Sequence, residues 1–216
     1  METITNEFLD KNLYNSKIFI NEKSLSTDLC IEIINKFDMS DKSYKGYVQK
    51  GVDLQIKDTK DLVVDRMDKE WSEIHKTLDR ELKYNIANYL KSMNDIEDFK
   101  KEYNNSVYDD YKIFLPEDLS SEFFMVQKYT KNIGRYIYHN DFRLDFNTKM
   151  GRAITFLWYL NDVEMGGETV FEGKYKIKPE TGKLILFPSS WTYPHCGKMP
   201  ISDNKYIITG WIYFKV

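Results

Sequence analysis

Residues 123–139 read FFMVQKYTKNIGRYIYH, in which two runs rich in apolar and aromatic side chains flank the turn signal Asn132-Ile133-Gly134. Short runs of this kind, bounded by glycine and polar turns, are typical of β-strands. The pattern continues towards the C-terminus, with further turn signals at Gly166-Gly167 and Glu180-Thr181-Gly182. The predicted strands are Phe123 to Tyr129, Arg135 to His139, Arg152 to Leu160, Thr169 to Phe171, Leu184 to Phe187 and Tyr206 to Val216. Their spacing predicts an antiparallel jelly roll of about eight strands.

The part before residue 120 has a helical pattern instead. Ser26-Thr27-Asp28 offers capping side chains before an amphipathic run of about ten residues. From Met67 to Met93 apolar residues recur every three or four positions, which predicts one long helix with a buried stripe. His75 lies beside that stripe without a second ligand at helical spacing, so we interpret it as a structural or surface histidine. Residues 95–120 are polar and turn-rich, which suits a connection or a lid over a site.

These patterns predict an α+β protein with a double-stranded β-helix (jelly roll) core and N-terminal supporting helices. A length of 216 residues favours a single domain. Within it, residues 1–120 are expected to form mostly helical support and a lid, and residues 121–216 the core that carries the site. A chain of this size folds without a metal or a disulfide, so any bound metal is expected to serve chemistry.

The composition excludes several classes of protein. The 31 basic and 34 acidic residues leave a net charge of −3, which gives no electrostatic footprint for nucleic acid or an anionic membrane. Cys30 and Cys196 are too few for a disulfide framework or a cysteine-rich zinc site. No apolar run reaches the length of about 18 residues needed to span a membrane, and the start METITNEFLDKN lacks the order of a signal peptide. We therefore expect a soluble, cytoplasmic protein.

The clearest candidate site begins at Tyr138-His139-Asn140-Asp141. In a strand the side chains of His139 and Asp141 would share one face, because side chains repeat every two residues. His195 follows another apolar strand and offers a third ligand. Two imidazoles and one carboxylate leave coordination positions open, which suits non-haem Fe(II). A zinc site of a metallohydrolase could use the same three residues, so the pattern alone leaves both open.

Lys205 begins the alternating run KYIITGWIYFKV. Alternation divides this run into two faces, and the face of Tyr206 is the one expected to pack against helices. The other face combines Lys205, Thr209 and Trp211, which would suit a small dicarboxylate held with its far end on the lysine. Lys205 could equally begin a surface strand with its ammonium group in water.

Residues 129–211 resemble the prolyl 4-hydroxylase branch of the Fe(II)- and 2-oxoglutarate-dependent oxygenases. Five elements of that family's pattern occur in order. They are Tyr129 with Gly134, Tyr136, His139 and Asp141; Arg152, Thr155 and Tyr159-Leu160-Asn161; Gly166-Gly167-Glu168-Thr169 with Phe171; Gly182 to Pro188; and His195-Cys196-Gly197 followed by Lys205.

The resemblance implies that His139, Asp141 and His195 bind Fe(II), the metal at which catalysis occurs. It also implies that Lys205 meets the distal carboxylate of 2-oxoglutarate, with O2 as the second co-substrate. The remaining co-substrate residues implied by the family are Tyr159 and Thr209 near the lysine, Tyr129 near the chelating end, and Trp211 as a wall of the pocket. Cys196 alternates away from His195 and is interpreted as a small packed residue.

Substrate contacts are less closely defined by the resemblance. Arg152 matches a position that helps to hold substrate in some members, although a strand-end salt bridge is an equal alternative. Tyr136 is the second candidate substrate residue. Collagen-type and plant-type prolyl hydroxylases carry a tryptophan and a histidine where this chain has Tyr206 and Tyr213. These departures leave the iron assignment intact and put the identity of the substrate in question. Asp141 is retained where halogenating relatives have a small residue, which favours hydroxylation.

The implied activity is the hydroxylation of an unactivated C–H bond, with release of succinate and CO2. The expected target is a prolyl residue of a peptide or protein, and another amino-acid side chain or a free metabolite is the alternative. A zinc metallohydrolase and a non-catalytic jelly-roll binding module remain as functions of other classes. Neither a nucleic acid nor a membrane is expected as a partner, and the sequence assigns no oligomeric state.

Overall fold

The computed structural model describes residues 17–48, 50–94, 119–121 and 123–215. Within them lie two helices, α1 (Thr27–Met39) and α2 (Ser72–Asn94). The strands are β1 (Phe19–Asn21), β2 (Tyr44–Lys45), β3 (Lys57–Asp58), β4 (Lys60–Val64), β5 (Leu119–Ser121), β6 (Phe124–Tyr129), β7 (Arg135–His139), β8 (Leu144–Asp145), β9 (Met150–Tyr159), β10 (Thr169–Phe171), β11 (Tyr175–Ile177), β12 (Leu184–Pro188), β13 (His195–Gly197) and β14 (Lys205–Lys215).

The strands form two antiparallel sheets. The larger sheet has the order β1-β12-β9-β14-β6-β4-β2, with β5 paired to β14 and β8 to β9. The smaller sheet has the order β11-β10-β13-β7-β3. From β6 onwards the chain passes back and forth between the sheets: β6, β9, β12 and β14 are in the larger one and β7, β10, β11 and β13 in the smaller one. This alternation of eight strands is consistent with the predicted jelly roll.

The predicted strands after residue 121 are confirmed with small shifts of their ends. The strands β1 to β5 were not predicted, and neither were the short strands β8, β11 and β13. Most of them have only two or three residues, which is too short for a clear strand signal. The segment Lys57-Asp58-Thr59-Lys60-Asp61 is also polar, and part of it borders a polar cavity. The predicted lid over residues 95–120 lies outside the described residues except for its last two, which are in β5.

Both helices pack on the larger sheet. The hydroxyl of Ser26 caps α1 by accepting a hydrogen bond from the amide of Leu29 at 3.3 Å. Helix α2 begins at Ser72, later than the apolar stripe predicted, and Met67 lies exposed in the preceding turn. The stripe is otherwise buried in one cluster with the sheet, through Trp71, Ile74, Leu78, Leu82 and Ile86. Each such side chain stabilises the fold by about 1.5–3 kcal/mol.

His75 has the packing role predicted for it. Its ring and that of Phe124 in β6 pack in a T-shaped arrangement, with their centroids 5.1 Å apart. Strand β14 also shows the predicted division into two faces, because Tyr206 and Ile208 belong to the cluster that includes the helices and Ile207 to a second cluster between the sheets. None of the described helices has the length and apolar character needed to cross a membrane.

Candidate active site

The three candidate ligand residues meet where the smaller sheet faces the larger one. Strand β7 ends at His139, Asp141 lies two residues beyond it, and β13 begins with His195. His139 and His195 are direct partners across these antiparallel strands. One ligand atom from each of the three residues lies within 4.8 Å of the others. The Nε2 atoms of His139 and His195 are 3.8 and 3.6 Å from the oxygens of Asp141, too far for hydrogen bonds and suitably spaced for a shared ion.

The hydrogen bonds of the two imidazoles orient them for a metal. The Nδ1 atom of His139 lies 2.8 Å from the carbonyl of Ile137, and that of His195 lies 3.1 Å from the carbonyl of Tyr193. Because a carbonyl only accepts, each Nδ1 carries the proton and each Nε2 presents a lone pair to the site. Burial and the neighbouring His195 lower the pKa of His139 to about 4, so this ring is neutral at pH 7.

Asp141 is fixed by a neighbouring strand. The hydroxyl of Thr155 in β9 donates to Asp141 Oδ2 at 2.8 Å, and Thr155 also bonds to the hydroxyl of Ser189. Burial alone would raise the pKa of Asp141, but His195, His139 and the Thr155 hydrogen bond together lower it, so the group is a carboxylate. Two imidazoles oriented through Nδ1 and one oriented carboxylate fit a divalent transition metal such as Fe(II).

Lys205 is a buried cation at the start of β14. Its side chain is enclosed, with 1% exposure, so the alternative of a surface strand is wrong. The ammonium group donates to the carbonyl of Gly167 at 2.9 Å and lies 3.9 Å from the centre of the Tyr129 ring. Burial lowers the pKa of Lys205 to about 7, and Cys196 and Glu168 oppose this only in part. Among the described residues no carboxylate lies within ion-pair distance of Lys205.

The three ligands and Lys205 line one cavity of about 760 Å³. Its walls also include the predicted co-substrate residues Tyr129, Thr209 and Trp211. The hydroxyl of Thr209 donates to the backbone carbonyl of Phe156 at 2.9 Å. Tyr159 is fully buried and outside the cavity lining, and its hydroxyl donates at 2.7 Å to Thr169, which does line the cavity. Burial raises the pKa of Tyr159 far above neutrality.

The predicted substrate residues lie at the same cavity. The guanidinium of Arg152 stacks 3.3 Å from the centre of the Trp211 ring, and its Nε donates to the hydroxyl of Tyr213 at 3.1 Å. Within the described chain, the buried Nε1 of Trp211 has no hydrogen-bond partner. Tyr136 stacks on the His139 ring, with centroids 3.5 Å apart and planes inclined by 14°. Tyr136 therefore packs on the candidate ligand His139 and also faces the cavity.

Sequence reasoning missed a buried polar cluster on the cavity wall. Lys57 pairs with Asp61 at 2.6 Å, and both side chains are almost fully enclosed. Asp61 also accepts hydrogen bonds from Thr59 at 2.7 Å and Gln127 at 3.3 Å. The cluster reaches the co-substrate side through Tyr129, whose hydroxyl donates to Gln127 at 3.4 Å. Only pairing of β3 and β4 with different sheets brings these charges inside, so the sequence carried no clear signal of their burial.

Comparison with known proteins confirms the predicted family resemblance. Residues 124–213 match the family model of the 2OG-Fe(II) oxygenase superfamily. Probable prolyl 4-hydroxylase 10 of Arabidopsis thaliana is 33% identical over 108 residues, covering 36% of this chain and 37% of the relative. Probable prolyl 4-hydroxylase 3 of the same plant is 36% identical over 109 residues, covering 37% and 38%. The match thus spans well under half the length of these curated relatives.

Solved structures share the fold over most of this chain. The viral collagen prolyl hydroxylase vCPH of Paramecium Bursaria Chlorella virus-1, as a 2OG complex, has a TM-score of 0.60 at 22% identity, covering 92% of this chain and 96% of its own. A Trichoplax adhaerens prolyl hydroxylase, in complex with a hypoxia inducible factor oxygen degradation domain peptide fragment, has a TM-score of 0.67 at 23% identity, covering 94% and 86%. At these identities the likeness concerns the fold alone.

Proposed function

We propose that this chain, whose C-terminal part is that of a prolyl 4-hydroxylase-like 2OG-Fe(II) oxygenase, hydroxylates an unactivated C–H bond and releases succinate and CO2. The observation that carries the proposal is Lys205. A fully buried ammonium group without a carboxylate partner is costly, and it faces the same cavity as the three metal ligands. A dicarboxylate that chelates the metal at one end would supply the missing partner at the other.

The chain's own residues hold and orient the reactants. Bound Fe(II) and 2-oxoglutarate would supply the oxidising chemistry that transfers one oxygen atom of O2 to the substrate. His139, Asp141 and His195 would hold the metal on one side and leave the other side open. The carbonyls of Ile137 and Tyr193 accept from Nδ1 and so hold each imidazole in the tautomer and orientation that metal binding through Nε2 needs.

Lys205 and Tyr129 would hold the co-substrate. Lys205 offers charge to its far carboxylate, and the Tyr129 hydroxyl lies where it could leave Gln127 and donate to the bound anion instead. Gly197 leaves the part of the cavity beside Lys205 and Tyr129 narrow but open. A Cβ atom at this position would lie 3.5 Å from the Lys205 ammonium group and 3.3 Å from the Tyr129 hydroxyl. A zinc hydrolase would have no use for Lys205.

A prolyl residue of a peptide or protein is the proposed target. The related proteins are prolyl hydroxylases by name, and the structure of one of them was solved with a peptide fragment. Tyr136, Arg152 and Trp211 line the cavity and offer stacking surfaces to a pyrrolidine ring and its peptide bonds. Another side chain or a free metabolite is the alternative target of the same chemistry. We also propose a cytoplasmic location, which the two free, buried cysteines support.

The experiment is anaerobic loading with Fe(II) and 2-oxoglutarate, followed by O2 and a panel of proline peptides and free metabolites. Succinate is quantified, and products are examined for a mass gain of about 16 Da, the mass of one inserted oxygen atom. His195→Ala is expected to form neither product. His75→Ala removes the third histidine of the chain from α2 and serves as the matched control, which is expected to remain active. If the wild-type protein forms no succinate with any of the tested compounds, the proposal is refuted.

A further inference from the structure

The opening of the cavity is basic although the protein as a whole is acidic. Lys50 and Arg143 are exposed and line the cavity, and the half-buried Arg152 lines it as well. The full chain carries a net charge of −3. A cluster of cations at the mouth of a cleft raises the local concentration of anionic ligands and speeds their association.

The other charges of the cavity lining cancel one another. Asp61 is neutralised by Lys57 at 2.6 Å, and Asp141 belongs to the metal ligands. Under the proposed function, the positive charge of Lys205 is neutralised by the far carboxylate of 2-oxoglutarate. Among the described residues of the lining no further carboxylate occurs. Asp145, two residues after Arg143, offsets a small part of its charge, and the Asp145 carboxylate itself accepts hydrogen bonds from backbone amides. The loaded cavity would therefore present net positive charge to a substrate.

Aromatic side chains occupy the same opening. Tyr47 is 57% exposed, Phe142 49% and Phe123 39%, and all three line the cavity. Exposed aromatic groups of this size around a pocket are typical of a binding surface for another molecule. Positive charge together with flat apolar surfaces fits an extended chain with both acidic and apolar side chains.

We propose that the opening formed by Tyr47, Lys50, Phe123, Phe142 and Arg143 binds an extended peptide whose target residue is flanked by aspartate or glutamate. This inference rests on the proposed function, because the peptide must place its target residue at the metal ligands. Acidic residues of the peptide pair with Lys50 and Arg143, and its apolar side chains pack on the three rings. The opening thus selects among peptides that the inner cavity would accept equally.

The test uses three fluorescent peptides of the same length with one central proline, flanked by glutamate, glutamine or lysine. Binding to the full chain, loaded anaerobically with Mn(II) and 2-oxoglutarate, is measured by fluorescence anisotropy. We expect the glutamate peptide to bind at least about tenfold more tightly than the lysine peptide at low salt, and the difference to shrink towards about 1 M salt, where screening acts within about 3 Å.

Charge reversal identifies the surface. Lys50→Glu/Arg143→Glu is expected to invert the preference of wild-type protein for the glutamate peptide. Lys131→Glu/Lys176→Glu changes the net charge equally at exposed sites outside the cavity lining and is expected to leave the preference intact. Equal binding of all three peptides, an unchanged preference in the first variant, or displacement of the glutamate peptide by a single-stranded oligonucleotide would overturn the inference.

Hydroxylation of the same peptides separates this inference from the proposed function. If all three are hydroxylated with equal efficiency, the function stands and the acidic preference is wrong. If the glutamate peptide binds with the expected charge dependence but neither succinate nor hydroxylated peptide forms from any tested compound, the binding surface stands and the oxygenase assignment is wrong.

Discussion

Replacement of Lys205 by methionine is expected to raise stability and destroy co-substrate binding at the same time. The folded protein encloses this lysine with a pKa of about 7, against the ordinary value of 10.5. Between these values the unfolded chain binds more protons than the folded one. Stability therefore rises with pH in that window, by at most about 1.4 kcal/mol per pH unit, and the burial cost is fully present below pH 7.

Methionine removes the buried charge at nearly constant volume. It also leaves the carbonyl of Gly167 without its donor, at a cost of about 1–3 kcal/mol. The relief of the buried charge exceeds this loss at pH 6, so metal-free Lys205→Met should be about 1–3 kcal/mol more stable than wild type there. Because wild type gains about 1.4 kcal/mol per pH unit above pH 7, the advantage should be lost between about pH 8 and 9, and the variant should be the less stable protein near pH 10. Urea unfolding at both pH values, followed by circular dichroism, measures the change.

Co-substrate binding should respond in the opposite direction. Without Lys205 the far carboxylate of 2-oxoglutarate is buried alone, which costs about 3–5 kcal/mol and weakens binding at least about a hundredfold. Calorimetric titration of 2-oxoglutarate into the Mn(II)-loaded protein measures this. Lys183→Met is the control, because Lys183 is enclosed but paired with Glu22 and Glu180 at 3.0 Å. It should lose stability and bind 2-oxoglutarate normally. Unchanged 2-oxoglutarate affinity in Lys205→Met, or a loss of stability at pH 6, would refute the reasoning.

Four further outcomes are expected. Wild-type affinity for 2-oxoglutarate should fall as pH rises above about 7, by up to tenfold per unit, because the bound anion needs protonated Lys205; calorimetry across pH 6–9 checks this, and a flat profile contradicts it. Asp61→Asn should lower the free energy of unfolding by about 3–5 kcal/mol, because Lys57 is left buried without its partner, and Lys57→Met/Asp61→Leu should recover much of the loss in urea titrations. Thr155→Val should weaken Mn(II) binding about 10–100-fold in calorimetry, with no change in far-ultraviolet circular dichroism. His195→Ala should abolish succinate release yet keep that spectrum, and an unfolded variant would show that a metal there is structural.

Local patterns in the sequence predicted most of the jelly-roll core. The strands around His139, Thr169 and Leu184 were evident because each is a short apolar run between turn residues, and such runs form strands whatever their partners. The end of β7 at His139 and the alternation of β14 from Lys205 likewise follow from local chemistry. The start of α2 was predicted too early. The helical spacing of apolar residues extends back to Met67, but Met67 lies exposed in the turn before the helix, and the sequence does not mark this turn.

Spacing along the chain and family resemblance together identified His139, Asp141, His195 and Lys205 as candidates. Whether they meet depended on the pairing of β13 with β7 and of β14 with β6, which are contacts between distant parts of the chain. The same holds for the state of Lys205. In the sequence an ammonium group in water and one buried against Tyr129 look alike, and only packing distinguishes them.

The sequence by itself determined where most strands and turns of the jelly-roll core form and which side chains are candidates for metal and anion binding, because these follow from side-chain type, short spacing and the family resemblance. Tertiary structure decided which polar residues are enclosed. Lys57 and Asp61 read as an ordinary charged segment, yet β3 and β4 join different sheets and place the pair inside the cavity wall. The positive opening at Lys50 and Arg143 arises in the same way, since charge on a surface becomes a binding site only where folding gathers residues from separate loops.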